Sequence, residues 1–570
     1  MQLFMQKIYL ILLLTFSLLT KYALGQEANN LFKFTGDCGL YADFYNMDSE
    51  YPGAIAARRP GTLSRMVFNA SISVKDFSMP ISVIIPFQQY SSVIINTPAI
   101  PNTPLVNFIR NPQNRVGIAP KYKWIQLLLG SQIPVYSELS TGDLPVFGVG
   151  FNLTPGKFRF SSFAGTSQWA VEENDDKDIQ GIYTRKMYFT KVGYGHEDSS
   201  HVYLIGCMLK DDTSTLNFKP IALMPQAGIS TSIDFRVNFG KRAYVKGEIA
   251  GTAYTRDTRA NDLPEFRPSL PELVYVPKES SRSDLASIVT FGSNWKNFGL
   301  TATGRYYGDG YVSLGYPYLQ TDRAEVTIDP RFILFKSKMQ LSGSIGKRVN
   351  NLSGIRAATT TQTIGSMNIN MQFSEKLSLS ATYANYGFRN SIVNDTFKVE
   401  LVTISWSISP SYNIIGEKSV QNFTIMYSQN TFKDFNTVSG ELNDNDASNG
   451  VFTYSISMIK NPLSISSLAS YFSNNTSYGK LLNKSLNISA GYKFMEKKLN
   501  TLVGLTIADN KLNDEPSGVQ VTTILGIKYT MKKKMTFALN GSINIFEYGT
   551  SRPGISYRED LLRTSVTYKI

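Results

Sequence analysis

The chain has 570 residues, a formal net charge of +13, 18% charged and 12% aromatic residues, and only two histidines and two cysteines. A soluble surface usually carries about 25% charged residues, and a soluble chain of this length usually breaks into linked domains; neither feature is present. No apolar run of 18 residues follows the N-terminal segment, which excludes helical membrane spans, and no basic helix or nucleic-acid motif points to nucleic acid.

Residues 1–25 read as a signal peptide. Lys7 closes a short n-region, Ile8–Leu19 is almost wholly apolar, and Ala23-Leu24-Gly25 is a small-x-small cleavage pattern. The apolar run is shorter than the roughly 20 residues a helical anchor needs. No Cys follows the site, so lipoprotein processing is not expected, and the mature chain begins near Gln26. Cleavage removes Lys7 and Lys21 and no acid, leaving a cationic excess in turns and lumen that would favour anionic solutes or lipopolysaccharide.

From Leu31 onward, period-two alternation dominates. Phe32, Phe34, Cys38, Leu40, Ala42 and Phe44 share one face, against Thr35, Asp37, Tyr41 and Asp43 on the other. The stretch to about Leu144 (26–144) is less regular, and the Pro-, Asn- and Ile-rich segment Gln88–Gln113 (88–113) reads as a candidate lumen loop. Ile229, Ile233, Phe235, Val237 and Phe239 alternate with Ser230, Ser232, Asp234 and Arg236. The Pro-rich connection Thr258–Ser283 is a second candidate to fill the lumen, with an extracellular cap as the equal alternative for both segments. Within Arg323–Leu334, Ala324, Val326, Ile328 and Phe332 alternate with Arg323, Glu325, Thr327, Asp329 and Arg331. Met535, Phe537, Leu539, Ile543 and Ile545 repeat the pattern near the end.

These strands run about 10 to 14 residues, matched to a tilted membrane crossing rather than to a soluble sheet. Short connections such as Gly240-Lys241-Arg242 and Lys336-Ser337-Lys338 alternate with long ones such as Thr258–Ser283 and Gly308–Thr321. The sequence therefore predicts an all-β fold, a transmembrane antiparallel β-barrel of about 26 strands (range about 22–26), with both termini on the short-turn side. Pro330 and Pro410 fall inside strand patterns and predict a bulge or kink.

Signals for chemistry are sparse. His196 and His201 flank an acidic turn; a metal site is conceivable there, but a polar turn is the preferred reading. No catalytic, cofactor-binding or metal residues are assigned. Cys38 and Cys207 read as two separate buried thiols rather than a disulfide. The charges predicted to line the lumen are Asp37, Asp43, Asp234, Arg236, Lys246, Glu248, Arg323, Glu325, Asp329 and Arg331. Their mixed signs suit a wall-stiffening ion network slightly better than a selective pathway. The last strand, with Val566, Tyr568 and Ile570 on one face, resembles the C-terminal insertion signal read by the barrel-assembly machinery of Gram-negative bacteria, with Ile570 where an aromatic is commoner.

Several stretches resemble a family of large outer-membrane barrel proteins of Bacteroidota: Arg58-Arg59-Pro60, Val116–Trp124, Phe147–Phe160, Ala253–Asp257 and Ile345–Arg348. The resemblance covers most of the mature chain and implies fold and location, in bacteria that use large barrels for protein secretion, surface display and glycan import. A TonB-dependent transporter is disfavoured, since strand signal begins too early for a coupling box and plug domain. The expected function is a conduit or transport/secretion component for a macromolecule or large solute. The alternative is a non-conducting scaffold anchoring surface or secretion machinery, and an outer-membrane hydrolase is least favoured. Expected partners are outer-membrane lipids, lipopolysaccharide, the barrel-assembly machinery and a periplasmic or surface protein, with no nucleic acid.

Overall fold

A computed structural model describes residues 32–49, 57–87, 114–142, 144–173, 179–218, 221–263, 275–394, 396–532, 534–549 and 556–570. The signal peptide and Gln88–Gln113 lie outside the described residues.

The chain is a run of strands. β1 (Phe32–Ser49), β2 (Thr62–Val74) and β3 (Phe77–Pro86) lead into two fragments, β4 (Arg115–Ile118) and β5 (Lys121–Tyr122). Next come β6 (Ile125–Gln132), β7 (Val146–Leu153), β8 (Phe158–Gln168), β9 (Thr184–Gly195) and β10 (His201–Asp212). β11 (Ala227–Phe239), β12 (Ala243–Thr255), β13 (Ser281–Asn294), β14 (Phe298–Tyr307), β15 (Arg323–Leu334) and β16 (Met339–Asn350) continue the wall. β17 (Thr360–Gln372), β18 (Leu377–Asn390), β19 (Glu400–Ile415), β20 (Ser419–Asp434) and β21 (Asn445–Met458) extend it further. The series ends with β22 (Leu463–Thr476), β23 (Gly479–Phe494), β24 (Leu499–Leu512), β25 (Glu515–Met531), β26 (Met535–Tyr548) and β27 (Tyr557–Lys569).

Apart from the fragments β4 and β5, each strand pairs antiparallel with its sequence neighbours, and β27 pairs with β1, from Asp37↔Lys569 to Ser49↔Tyr557. The sheet is therefore closed. β4 and β5 both bond to β3 and to β6, so they are two pieces of one wall position, and the 27-stranded sheet is a barrel of 26 positions. At a spacing of roughly 4.8 Å and a tilt near 40°, such a barrel is roughly 50 Å across.

Alternation decides which side each residue faces. Along β10, Val202 and Leu204 are 52% and 55% exposed on the outside, while Tyr203, Ile205 and Cys207 are buried on the inside. Ile233 and Val326 face outward in the same way, against Ser232 and Glu325 inside. A belt of exposed Val, Leu, Ile and Phe has no stable place in water, where each would forgo roughly 1.5–3 kcal/mol of burial; hydrocarbon supplies the matching solvent. Cys207 faces inward on β10 and Cys38 lies on the apolar outer face of β1, and both are free thiols.

The start of β1 and the end of β27 lie on the rim of short turns, such as 240–242 and 495–498. In 495–497 all three residues take positive φ, at 50°, 54° and 70°. The other rim carries the long loops, but the alternation of short and long lapses at 477–478 and 513–514. At 513–514 Asn513 and Asp514 both have positive φ, the geometry of a tight primed hairpin turn.

The two prolines do not form the bulge that is one of the two expected outcomes. Pro330 pairs with Leu300 of β14, and Pro410 with Leu379 of β18, but neither they nor Asp329 and Ser409 pair on the far side. The register is the same above and below each gap, so these are local interruptions rather than bulges. A missing N–H removes a rung without adding a residue.

Facing can be tested directly. Arg placed at Ile543, on the outer face near the middle of β26, is expected to cost roughly 2–4 kcal/mol, while Arg at the inner-face Asn540 should be tolerated. Equilibrium unfolding from lipid vesicles would measure both, and equal costs would refute the facing.

Candidate functional site

The interior has two different halves. Between β6 and β15 the inner face is padded; from β17 to β26, among the described residues, no buried apolar cluster forms on it, and hydroxyl and amide side chains stand among scattered exposed apolar ones such as Tyr386, Leu502 and Ile524. The padding comes from two connections that turn inward, residues 133–145 between β6 and β7 and residues 308–322 between β14 and β15.

The wall makes room for them with small residues. Ser232, Ala250 and Ala286 stand side by side across β11, β12 and β13 and are all but fully buried. Leu139 and Tyr311, each 0% exposed, pack into this trough with Ile288 and Tyr307. A second cluster gathers Leu314 against Met187, Phe189, Tyr203, Ile205 and Cys207. Tyr136 stacks on Phe189 at 3.9 Å between ring centres and 8° between planes, and its hydroxyl donates to Asn152 at 3.3 Å.

Polar bonds fasten the first loop to the wall and to the second loop. Glu248 of β12 accepts from the Ser137 hydroxyl and, at 2.8 Å, from the Glu138 amide. Tyr311 donates to the Leu139 carbonyl at 3.2 Å and Ser313 to the Ser140 carbonyl at 2.6 Å. Gly315 lies so close that a Cβ there would sit 2.3 Å from the Ser140 oxygen, so only glycine permits this approach.

Below the loops is a cavity of about 1200 Å³, lined among others by Glu138, Lys191, Asp234, Arg236, Lys246 and Arg305. Asp234, Glu248, Ile288, Arg305, Glu325 and Arg348 are consecutive partners along one row of the wall. Glu325 is clasped by Arg305 at 3.1 Å and Arg348 at 2.6 Å, and Asp234 lies 3.6 Å from His201. Arg236 and Lys246 stand directly opposite each other, and so do Asp234 and Glu248. Such like-charge pairs do not stiffen a ladder. Instead Arg236 bonds Asn238 and covers the Tyr244 ring at 4.3 Å, and Glu248 holds the loop.

The predicted lumen residues are thus divided by position. Asp234, Arg236, Lys246 and Glu248 meet at one cavity, and Glu325 sits in the same row. Arg323 packs over Tyr307 at 4.7 Å, nearer the long loops, while Asp329 and Arg331 flank Pro330 lower on β15. Asp43 lies on β1, 3.8 Å from Arg563 of β27, and Asp37 lines a separate recess with Asn69 and Ser82. Val566 and Tyr568 pair with Leu40 and Cys38 across the seam, and the Ile570 amide donates to Gly36 at 2.9 Å. His196 and His201 belong to a polar turn in which Arg159 bonds His196 and backbone carbonyls bond His201. Among the described residues no group of three or more His, Cys, Asp or Glu is placed to hold a metal.

The second segment expected from sequence to fill the lumen, Thr258–Ser283, does not do so among its described residues. Asp262 and Lys278 bridge to each other, Thr258 bonds the Pro225 carbonyl, and Arg259 bonds Ile221. This is a rim structure, in which the Arg259 guanidinium holds the Asp257 carboxyl below the usual carboxylate range.

The opposite half of the lumen carries cross-strand pairs of uncharged polar side chains. Thr382 bonds Ser407 at 2.7 Å, Ser466 bonds Ser489 at 2.7 Å, Ser470 bonds Ser485 at 2.6 Å, and Asn487 bonds Thr506 at 2.7 Å. These groups bond to each other and leave the remaining lone pairs and protons for water.

A closed, outwardly apolar, inwardly polar barrel of 26 positions is an outer-membrane β-barrel protein. No protein-family model matches the chain, and no curated protein does. Among solved structures, OpdQ of Pseudomonas aeruginosa aligns over 94% of this chain and 98% of its own at 10% identity and a TM-score of 0.29. The FrpB iron transporter of Neisseria meningitidis aligns over 95% and 82% at 11% identity and 0.35, and OccAB2 of Acinetobacter baumannii over 65% and 98% at 12% and 0.31.

Glu248→Ala removes the acceptor for two loop donors, at a cost of about 1–3 kcal/mol. Amide exchange at residues 137–141 should accelerate accordingly, and Glu248→Gln, which keeps a carbonyl acceptor, should restore much of the protection. Unchanged exchange in Glu248→Ala would show that the carboxylate does not hold the loop.

Proposed function

We propose that this protein is a conduit that carries a large polar solute or a macromolecule across the outer membrane, with residues 133–145 and 308–322 narrowing the passage from one side. The observation that carries the reading is the asymmetry of the lumen. Among the described residues, hydroxyl and amide pairs recur along the inner face of β17 to β26, and the buried apolar clusters lie on the opposite wall. A barrel serving only as an anchor has no need for a long polar inner wall, since filling the interior with side chains or loops would be more stable. A polar inner face facing water is the form that passage requires.

The inward loops suit restriction better than full closure. They lie on one wall of a barrel roughly 50 Å across, held there by Glu248 and by the packing of Leu139, Tyr311 and Leu314 against it. The proposed reaction class is passage without covalent chemistry.

Replacing residues 134–144 with a short turn should widen the passage. Cells carrying that variant should become sensitive to large antibiotics excluded by the parent, at unchanged barrel abundance and heat-modified gel mobility. If neither the parent nor the variant admits any solute into reconstituted vesicles, the conduit reading fails and an anchoring role takes its place.

A further inference from the structure

Cations are not spread evenly over this barrel. Every turn of the short-turn rim except 196–200 carries a Lys or Arg, from Lys75 at one end of the series to Lys534 at the other. Among the described residues, only Lys123 and Lys498 of these turn cations have a carboxylate within 4.0 Å, at Asp76 and Glu496. The long-loop rim is different, since there Arg259 is paired with Asp257, Lys278 with Asp262 and Lys433 with Asp444. The long-loop rim thus pairs several of its cations, whereas the short-turn rim leaves most of its cations without a carboxylate.

The unpaired cations come with apolar neighbours. Trp295 beside Lys296 is 54% exposed, Phe335 beside Lys336 is 69% exposed, and Ile459 beside Lys460 is 55% exposed. These residues sit where the wall ends and the turn begins. The repeat matches the boundary between hydrocarbon and phosphate. An apolar side chain enters the edge of the hydrocarbon, and an ammonium on a long stem reaches the headgroup beside it.

We propose that the short-turn rim is a binding surface for anionic phospholipid, with the ring of turn cations as its phosphate-binding part. A protein partner with an acidic surface is the competing occupant. It would touch one sector of the rim, whereas these cations recur around the whole circumference, as lipid does. Lysine also suits this role, because it is a flexible point charge that can follow a mobile phosphate.

Trp295 is a built-in reporter. It lies in the turn between those holding Lys241 and Lys336, and the Arg242 guanidinium covers its ring at 4.6 Å. With Trp124, Trp169 and Trp406 replaced by Phe, the protein would be reconstituted in vesicles containing either brominated phosphatidylglycerol or brominated phosphatidylcholine. Quenching should favour the anionic lipid by roughly fivefold, the effect of about one lysine at an anionic surface, and the preference should shrink as salt is raised. The combined variant Lys241→Gln, Lys296→Gln, Lys336→Gln and Lys338→Gln should lose the preference, and the same four positions changed to Arg should keep it. Heat-modified gel mobility checks that each variant is folded, and Lys296→Gln alone serves if the combined variant is not. Equal quenching by the two lipids in the parent, or a preference that survives in the folded Gln variant, would overturn the proposal. So would loss of lipid preference together with cross-linking of the rim to an acidic periplasmic protein, which would assign the surface to protein docking.

Discussion

Backbone amides and carbonyls have no water to bond in hydrocarbon, and every other feature of this protein is arranged within that constraint. The seam between β1 and β27 meets it, because without those bonds two strand edges would stand open in lipid. Closure fixes the number of wall positions, that number fixes a wide lumen, and a wide lumen requires something inside. The chain's far ends are brought together for this purpose: Tyr45 bonds Glu559 at 2.8 Å, and the last amide reaches Gly36.

The padding of one wall arises from local composition. Large side chains on an inner face would fill their own space, so a trough exists only where Ser232, Ala250 and Ala286 align across three strands. The inward loops occupy that trough, and Glu248, one residue pair further along, supplies the acceptor for their turn. The charges around the cavity then divide into those that bind wall to wall, around Glu325, and those that face the lumen, at Arg236 and Lys246. The other side of the barrel carries many short hydroxyl and amide side chains that bond in pairs and take up little of the lumen.

Much of this architecture is legible along the chain, because in a barrel the physics is local. A strand that faces lipid on one side and water on the other must alternate, and the alternation of Ile233 and Val237 with Asp234 and Arg236 reports facing by itself. The even count of wall positions comes from the same pattern together with the turns. The inward loops are not legible. Residues 133–145 are short, moderately polar and free of any period, and what holds them lies more than a hundred positions away, at Glu248 and Ser313. Their one trace is the pair of small inner-face residues at Ala250 and Ala286, which a strand pattern alone records as merely apolar. The described ends of Thr258–Ser283 bond to neighbouring rim segments, as Thr258 does to Pro225. The prolines at 330 and 410 show a similar limit: a sequence reveals that a rung is lost, but whether a residue is added is decided by the partner strand.

If the polar half of the lumen is a water-filled passage, single-channel recording of the purified, refolded barrel in a planar bilayer will show it most directly. Discrete conductance steps are expected in the parent, with larger steps and less closure when the loop at 133–145 is shortened. A folded barrel that inserts into the bilayer and conducts no ions in either form would contradict a water-filled passage.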